Sequence, residues 1–177
     1  IKSGTSIGPV CKVGGEVEAS IIQGYSNKQH QGVLAHSYVG EWVNLGGGTT
    51  TSDLKNTYGS IKMQGQDTGE QFLGCVLADY SKTAINTGIY MGKVIGVNSF
   101  IYDTVVHDVP SFTNHLGRFG SSVAVDLAVA ERAQKAMLGR RKIRQTKAHV
   151  ELLRNVFKMT QVERDEAKIG KGKLLFN

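Results

Sequence analysis

His30 and His36 stand six residues apart in "NKQHQGVLAHS", and Asn44 follows His30 by fourteen residues, opening "NLGGGTTTSD". An imidazole with an unperturbed pKa of about 6.5 accepts a proton at neutral pH, so either ring is a candidate general base. Two histidines could also ligate zinc, and a glycine run ending in threonines could cradle phosphate through backbone N–H groups. The phosphate loop fails on detail, because the run lacks a Gly-Lys-[Ser/Thr] ending and no helical pattern follows it. Which of the other chemistries is available depends on the elements that carry the two rings.

Those elements follow an unusual period. Leu77, Thr83, Ile89, Ile95 and Ile101 recur every six residues, and Ser81, Thr87, Lys93 and Ser99 follow at a fixed offset. Ile1, Ile7 and Val13 repeat the device near the start, and Val39 and Leu45 in the middle. Six fits neither a helix nor an alternating strand. It marks a hexapeptide β-helix, in which short strands form flat faces and small and aliphatic side chains stack inside. A β-sandwich would not make small, aliphatic and glycine slots recur together.

Gly8, Gly14, Gly40, Gly46 and Gly96 each follow an apolar slot, where a corner is expected to need a permissive backbone. Lys93 fills a small-residue slot, which predicts a bulge. The period breaks from Gly24 to Val33, and Lys28 would there fall on an interior slot. An unpaired buried charge is costly, so this stretch is expected to leave the helix as a loop.

After Pro110 the spacing turns helical. Ser122 is a candidate cap for a helix through "VAVDLAVAERAQKAMLGRR", and Thr146 for one through "KAHVELLRNVFKMTQVERDEAK". The reading is thus an all-β domain over 1–112 with a helical extension over 113–177, the last segment "IGKGKLLFN" being a tail. The basic junction "RRKIRQTK" lacks aromatic interleaving, so a solvated helix junction is expected and not a nucleic-acid surface, with an anionic cofactor as the lesser alternative.

Composition sets the outer limits. The 177 residues suffice for one domain with a core, and 22 glycines against 2 prolines point to tight turns. No apolar run approaches the roughly 20 residues that span a bilayer, so no membrane partner is expected. Cys11 and Cys75 make neither a metal spacing nor a disulfide framework, which fits free thiols in a cytoplasmic protein. If the period holds, His30 and His36 face different sides and cannot chelate one ion within a chain. A trimer could bring histidines of two chains together, but the accompanying ligands are not evident, and no metal is expected.

On this scaffold "NKQH", "YVGEWVNLGGGTTTSDLKNTYGSIK" and the flanking "GYS" resemble the acyltransferase half of the bacterial bifunctional UDP-N-acetylglucosamine pyrophosphorylase / glucosamine-1-phosphate N-acetyltransferases, closest to a divergent sugar nucleotidyltransferase branch. The resemblance is specific from Gly24 to Lys62. It implies a left-handed parallel β-helix, against the usual right-handed crossover, assembled as a homotrimer with sites between copies.

It also implies acetyl-CoA as acyl donor, an amino-sugar phosphate as acceptor and a place in UDP-N-acetylglucosamine biosynthesis. By motif spacing His30 corresponds to the family's general base. Asn44 corresponds to a residue contacting sugar or acyl donor, and Asn56 and Lys62 to contacts with sugar hydroxyls and phosphate. Tyr58, with Trp42 and Tyr38, would line the sugar site or pad an intersubunit groove. Two positions depart from the pattern: Glu18 stands where the family has a phosphate-binding Lys, and Val33 where it has a sugar-contacting Tyr. Lys28 is the candidate substitute for the missing phosphate ligand. The departures support an alternative, a non-catalytic trimerising or regulatory β-helix of a nucleotidyltransferase.

Overall fold

The computed structural model describes residues 1–174. The chain coils about six times into a parallel β-solenoid, a left-handed β-helix followed by three helices. Each coil lays two- or three-residue strands on three faces. Face 1 stacks Ser6–Ile7, Ile21–Ile22, Tyr38–Val39, Val76–Leu77 and Val94–Ile95 in one parallel sheet. Face 2 carries Lys12–Val13, Asn27–Lys28, the bridging residue Asn44, Lys82–Thr83, Phe100–Ile101 and Thr113–His115. Face 3 carries Glu16–Glu18, Val33–Ala35, Thr50–Thr51 and Gly88–Ile89, with Val105 bridging to Ile89.

From Val39 onward the apolar period-six residues point inward and form the core, whereas Ile1 and Ile7, in the first coil, are exposed. Ile22, Val39, Leu77, Ile95 and Val109 fill it from face 1, and Leu34, Ile89 and Val105 from face 3. Each strand is too short to hold itself, so the fold rests on coil stacking on either side.

The corners differ from the glycine expectation. Gly8, Gly14, Gly40, Gly46 and Gly96 do not adopt positive φ; the corner after face 1 is turned instead by Val10, Tyr25, Trp42, Tyr80, Asn98 and Phe112, all in the left-handed region. Such a conformation costs about 1–2 kcal/mol for an L-residue. The burial of Trp42 and Phe112 and the stacking of Tyr25 on Trp42, ring centroids 4.3 Å apart, help to offset it. The glycines serve close approach. A Cβ on Gly46 would lie 2.4 Å from the Ala84 carbonyl oxygen of the next coil. Gly46→Ala should therefore destabilise the fold by about 1–3 kcal/mol, read as a lower urea midpoint.

The stretch from Gly24 to Val33 is not a loop. Asn27–Lys28 pairs with Lys12–Val13 in register, and Lys28 is only 3% exposed. Its Nζ donates to the carbonyls of Gly14 at 3.1 Å and His30 at 2.9 Å, which replace part of the lost hydration inside the prism. Burial still pushes its pKa down. The chain instead leaves the solenoid after Asp53 and returns at Gly74, with Lys62–Met63 and Gln66–Asp67 forming an antiparallel hairpin in the excursion.

Beyond Thr113–His115, Val123–Ala124 adds an antiparallel strand, and Ser122 Oγ lies 3.2 Å from His115 Nδ1. Ser122 is thus not a cap. Helix α1 (Leu127–Gly139) is capped by Asp126, whose carboxylate accepts from the N–H groups of Ala128 and Val129. Helix α2 (Lys147–Met159) begins at Thr146 with a capping box to His149, and the helical run breaks at Thr160 before α3 (Gln161–Glu166). Phe112, Val125, Ala130 and Leu153 form a second core that joins the helices to the solenoid. The expected tail docks through Gly170, whose carbonyl accepts from Ala124 N at 2.9 Å; residues 175–177 lie outside the described residues.

Candidate functional site

His30 stands at the corner between faces 2 and 3 and is exposed. Gly47 of the next coil stacks on it, with the His30 Cβ and ring 3.7 Å from where a Cβ on Gly47 would sit. A glycine there leaves the ring unobstructed on one side. Gln29 Nε2 lies 3.1 Å from His30 Nε2. That contact sets the Gln29 amide against the Nε2 edge of the ring. The partner is an exposed side chain, which a substrate can displace to reach the ring nitrogen.

Asn44 lies on the outer row of face 2, its Oδ1 accepting from Asn27 Nδ2 at 3.2 Å. Asn56 lies in the excursion and lines a groove against face 3 with Thr50, Lys55 and Tyr90. Tyr58 and Lys62 are exposed on the same excursion. The single chain thus places His30 at a corner, Asn44 on one adjoining face and Asn56 over the other. It does not gather them in one cavity. Lys28 is separated from all of them by the coil wall, and its amine, bonded to interior carbonyls, is not a surface phosphate ligand. Glu18 is paired with Lys2 at 3.0 Å on face 3, which gives that patch no surplus positive charge.

His36 occupies the corner between faces 3 and 1, so the two imidazoles look out from different corners. Among the described residues, no group of three His, Cys, Asp or Glu side chains could hold a metal ion. His36 Nδ1 lies 2.8 Å from Asp53 Oδ2, and its ring packs 5.7 Å from Phe72. Asp53 and Phe72 begin and end the excursion, and the Gly74 N–H donates to the His36 carbonyl. His36 therefore clamps the base of the excursion to the solenoid. The signal was present in the sequence: Asp53 follows His36 by 17 residues, the same coil length that sets Asn44 on Asn27.

No family model matches the chain, and no curated protein matches it. Solved structures similar to it include the UDP-N-acetylglucosamine acyltransferase of Francisella novicida, at 16% identity and a TM-score of 0.46 over 93% of this chain. The chain spans about half of that protein, 53% of its length. Among the described residues, no helix is long and apolar enough to cross a membrane.

Lys82 neighbours Asn44 on face 2, with its Nζ 2.8 Å from the Tyr80 carbonyl and 5.1 Å from the Phe100 ring centroid. Burial lowers its pKa to about 8. The unfolded chain holds that proton up to about pH 10.4. Between these values the unfolded state binds more protons, so stability rises with pH; below about 8 both states are charged and the penalty is complete. The Lys82 contribution from pH 7.5 to 10 should reach roughly 3 kcal/mol at most, read as the difference between the pH-dependent gains of the wild type and Lys82→Met in urea unfolding at both pH values.

Proposed function

We propose that the chain is an acetyl-CoA-dependent N-acetyltransferase domain acting on an amino-sugar phosphate of the glucosamine-1-phosphate type, in nucleotide-sugar biosynthesis in the cytoplasm. The observation that carries the reading is His30. Its imidazole is exposed at a solenoid corner, beside a glycine that leaves room for reactants. The sugar amine attacks the thioester carbonyl carbon, a C–N bond forms, and the C–S bond of the thioester breaks. His30 takes the proton shed by the nitrogen and returns it to the departing thiolate.

Asn56, Tyr58 and Lys62 project from the excursion, and Asn44 lies around the corner from His30. A homotrimer would complete the site by setting the excursion of one copy against the corner of another. Ile21 and Tyr38 are exposed on the outer row of face 1, next to half-buried Val76 and Val94, and this apolar strip supports self-association. Both cysteines are free, in keeping with a reducing compartment.

The non-catalytic trimerising module remains the second reading, favoured by Glu18, which holds Lys2 where a phosphate-binding cation is expected. Titration calorimetry with acetyl-CoA separates the two. Saturable binding below millimolar concentration supports the transferase; its absence in a folded, associated protein supports the module.

A further inference from the structure

Helix α1 lies across face 2, and between them is a cavity of about 290 Å³. Four cations line it, Lys12, Lys82, Arg140 and Arg141, and among the described residues no carboxylate does. Among the described residues none of the four makes an ion pair. Two of them are held in place. Arg141 Nη2 donates to Asn27 Oδ1 at 2.6 Å, and Asn27 in turn donates to Asn44. Lys82 is fixed by the Tyr80 carbonyl and the Phe100 ring. The stacked pair Tyr25 and Trp42, with 5° between their ring planes, forms one wall.

Four like charges around so small a space repel one another, and an anion between them removes that cost. A single carboxylate neutralises one charge. A phosphate monoester brings about −1.5 to −2 and three acceptor oxygens, which suit a planar guanidinium and mobile ammonium groups together. We propose that the cavity between face 2 and α1 binds the phosphate group of a small phosphorylated metabolite, held by Lys12, Lys82, Arg140 and Arg141, with the organic part against the Tyr25–Trp42 wall.

The inference goes beyond acetyl transfer. It shares Asn44 with that reading but stands on the cavity and its charges alone. It also supplies an answer to Glu18: the cations come from face 2 and the helical extension instead of face 3.

The test is titration calorimetry on the full chain in low salt with inorganic phosphate, glucosamine-1-phosphate and UMP, and with glucosamine and uridine as controls. The phosphorylated probes should bind and the controls should not. Affinity should fall by about tenfold in each of Lys12→Gln and Arg140→Gln. Both positions are exposed, so circular dichroism and Tm should stay at the wild-type values. Equal affinity for all three phosphates assigns the site to the phosphate group alone; tighter UMP binding adds the base to the aromatic wall, and tighter sugar-phosphate binding adds the sugar. Failure of every phosphorylated probe to bind, or binding undiminished in both variants, overturns the proposal. Because the readout is binding, a protein that binds phosphate but transfers no acetyl group upholds this site and rejects the transferase.

Discussion

His30→Ala should lower acetyl transfer to glucosamine-1-phosphate by about 10²- to 10⁴-fold, mostly in kcat, with little change in stability. Stability should hold because the side chain is exposed and its side-chain hydrogen bond is to exposed Gln29. The rate should fall because the attacking nitrogen must lose a proton, and the Lys28 amine beside that corner is turned inward, donating to the carbonyls of Gly14 and His30. Asp103, three coils beyond His30, is held by Arg118 and accepts from its N–H, so its oxygens are already engaged. The companion variant is His36→Asn. It should loosen the excursion and raise KM through displaced Asn56 and Lys62, with a smaller effect on kcat. A large kcat loss in His36→Asn with near-normal turnover in His30→Ala would transfer the base role to the imidazole oriented by Asp53.

Arg164→Ala should cost about 3–5 kcal/mol of stability, among the largest single-site losses in the chain. The residue is 1% exposed, and its guanidinium lies 4.4 Å from the Phe157 ring centroid and 5.6 Å from that of Phe112. It donates to the carbonyls of Ser111 and Phe157, to Thr160 Oγ1 and to Gln161 Oε1. Truncation would take a donor from the carbonyls of Ser111 and Phe157 and open a void between the rings, at the joint where the helices meet the last coil. Glu163 of α3 also accepts from Ser111 N there, so the loss should detach the helices before the solenoid unfolds. A biphasic urea transition is the expected signature. A single transition within about 1 kcal/mol of wild type would contradict this role for Arg164.

The solenoid was legible because its core is one-dimensional: each inward slot repeats at a fixed interval, so Leu77, Ile89, Ile95 and Ile101 announce it without long-range information. The corners were not. A glycine reads as permissive backbone, but Gly46 and Gly96 are excluded from bearing a Cβ by the neighbouring coil, a contact that sequence order does not display. Lys28 misled for a related reason. A charge in an interior slot argues for a loop until two carbonyls, from Gly14 and His30, are seen to receive it. Ser122 was outcompeted as a cap because Val123–Ala124 extends face 2 and the helix starts after Asp126.

The candidate site was legible in part. The His30–Asn44 spacing set both residues near one corner, but the distances among His30, Asn44 and Asn56 follow from coil geometry and the excursion. The cationic cavity needed α1 folded over face 2, which brings Arg141 to Asn27 across 114 residues of chain.

The most direct trial of the central claim is the release of CoA thiol by the wild-type protein given acetyl-CoA and glucosamine-1-phosphate. A sugar-phosphate-dependent release, with N-acetylglucosamine-1-phosphate formed in equal amount, is the expected result. A folded, self-associated protein that releases no thiol above the rate of spontaneous hydrolysis would contradict it.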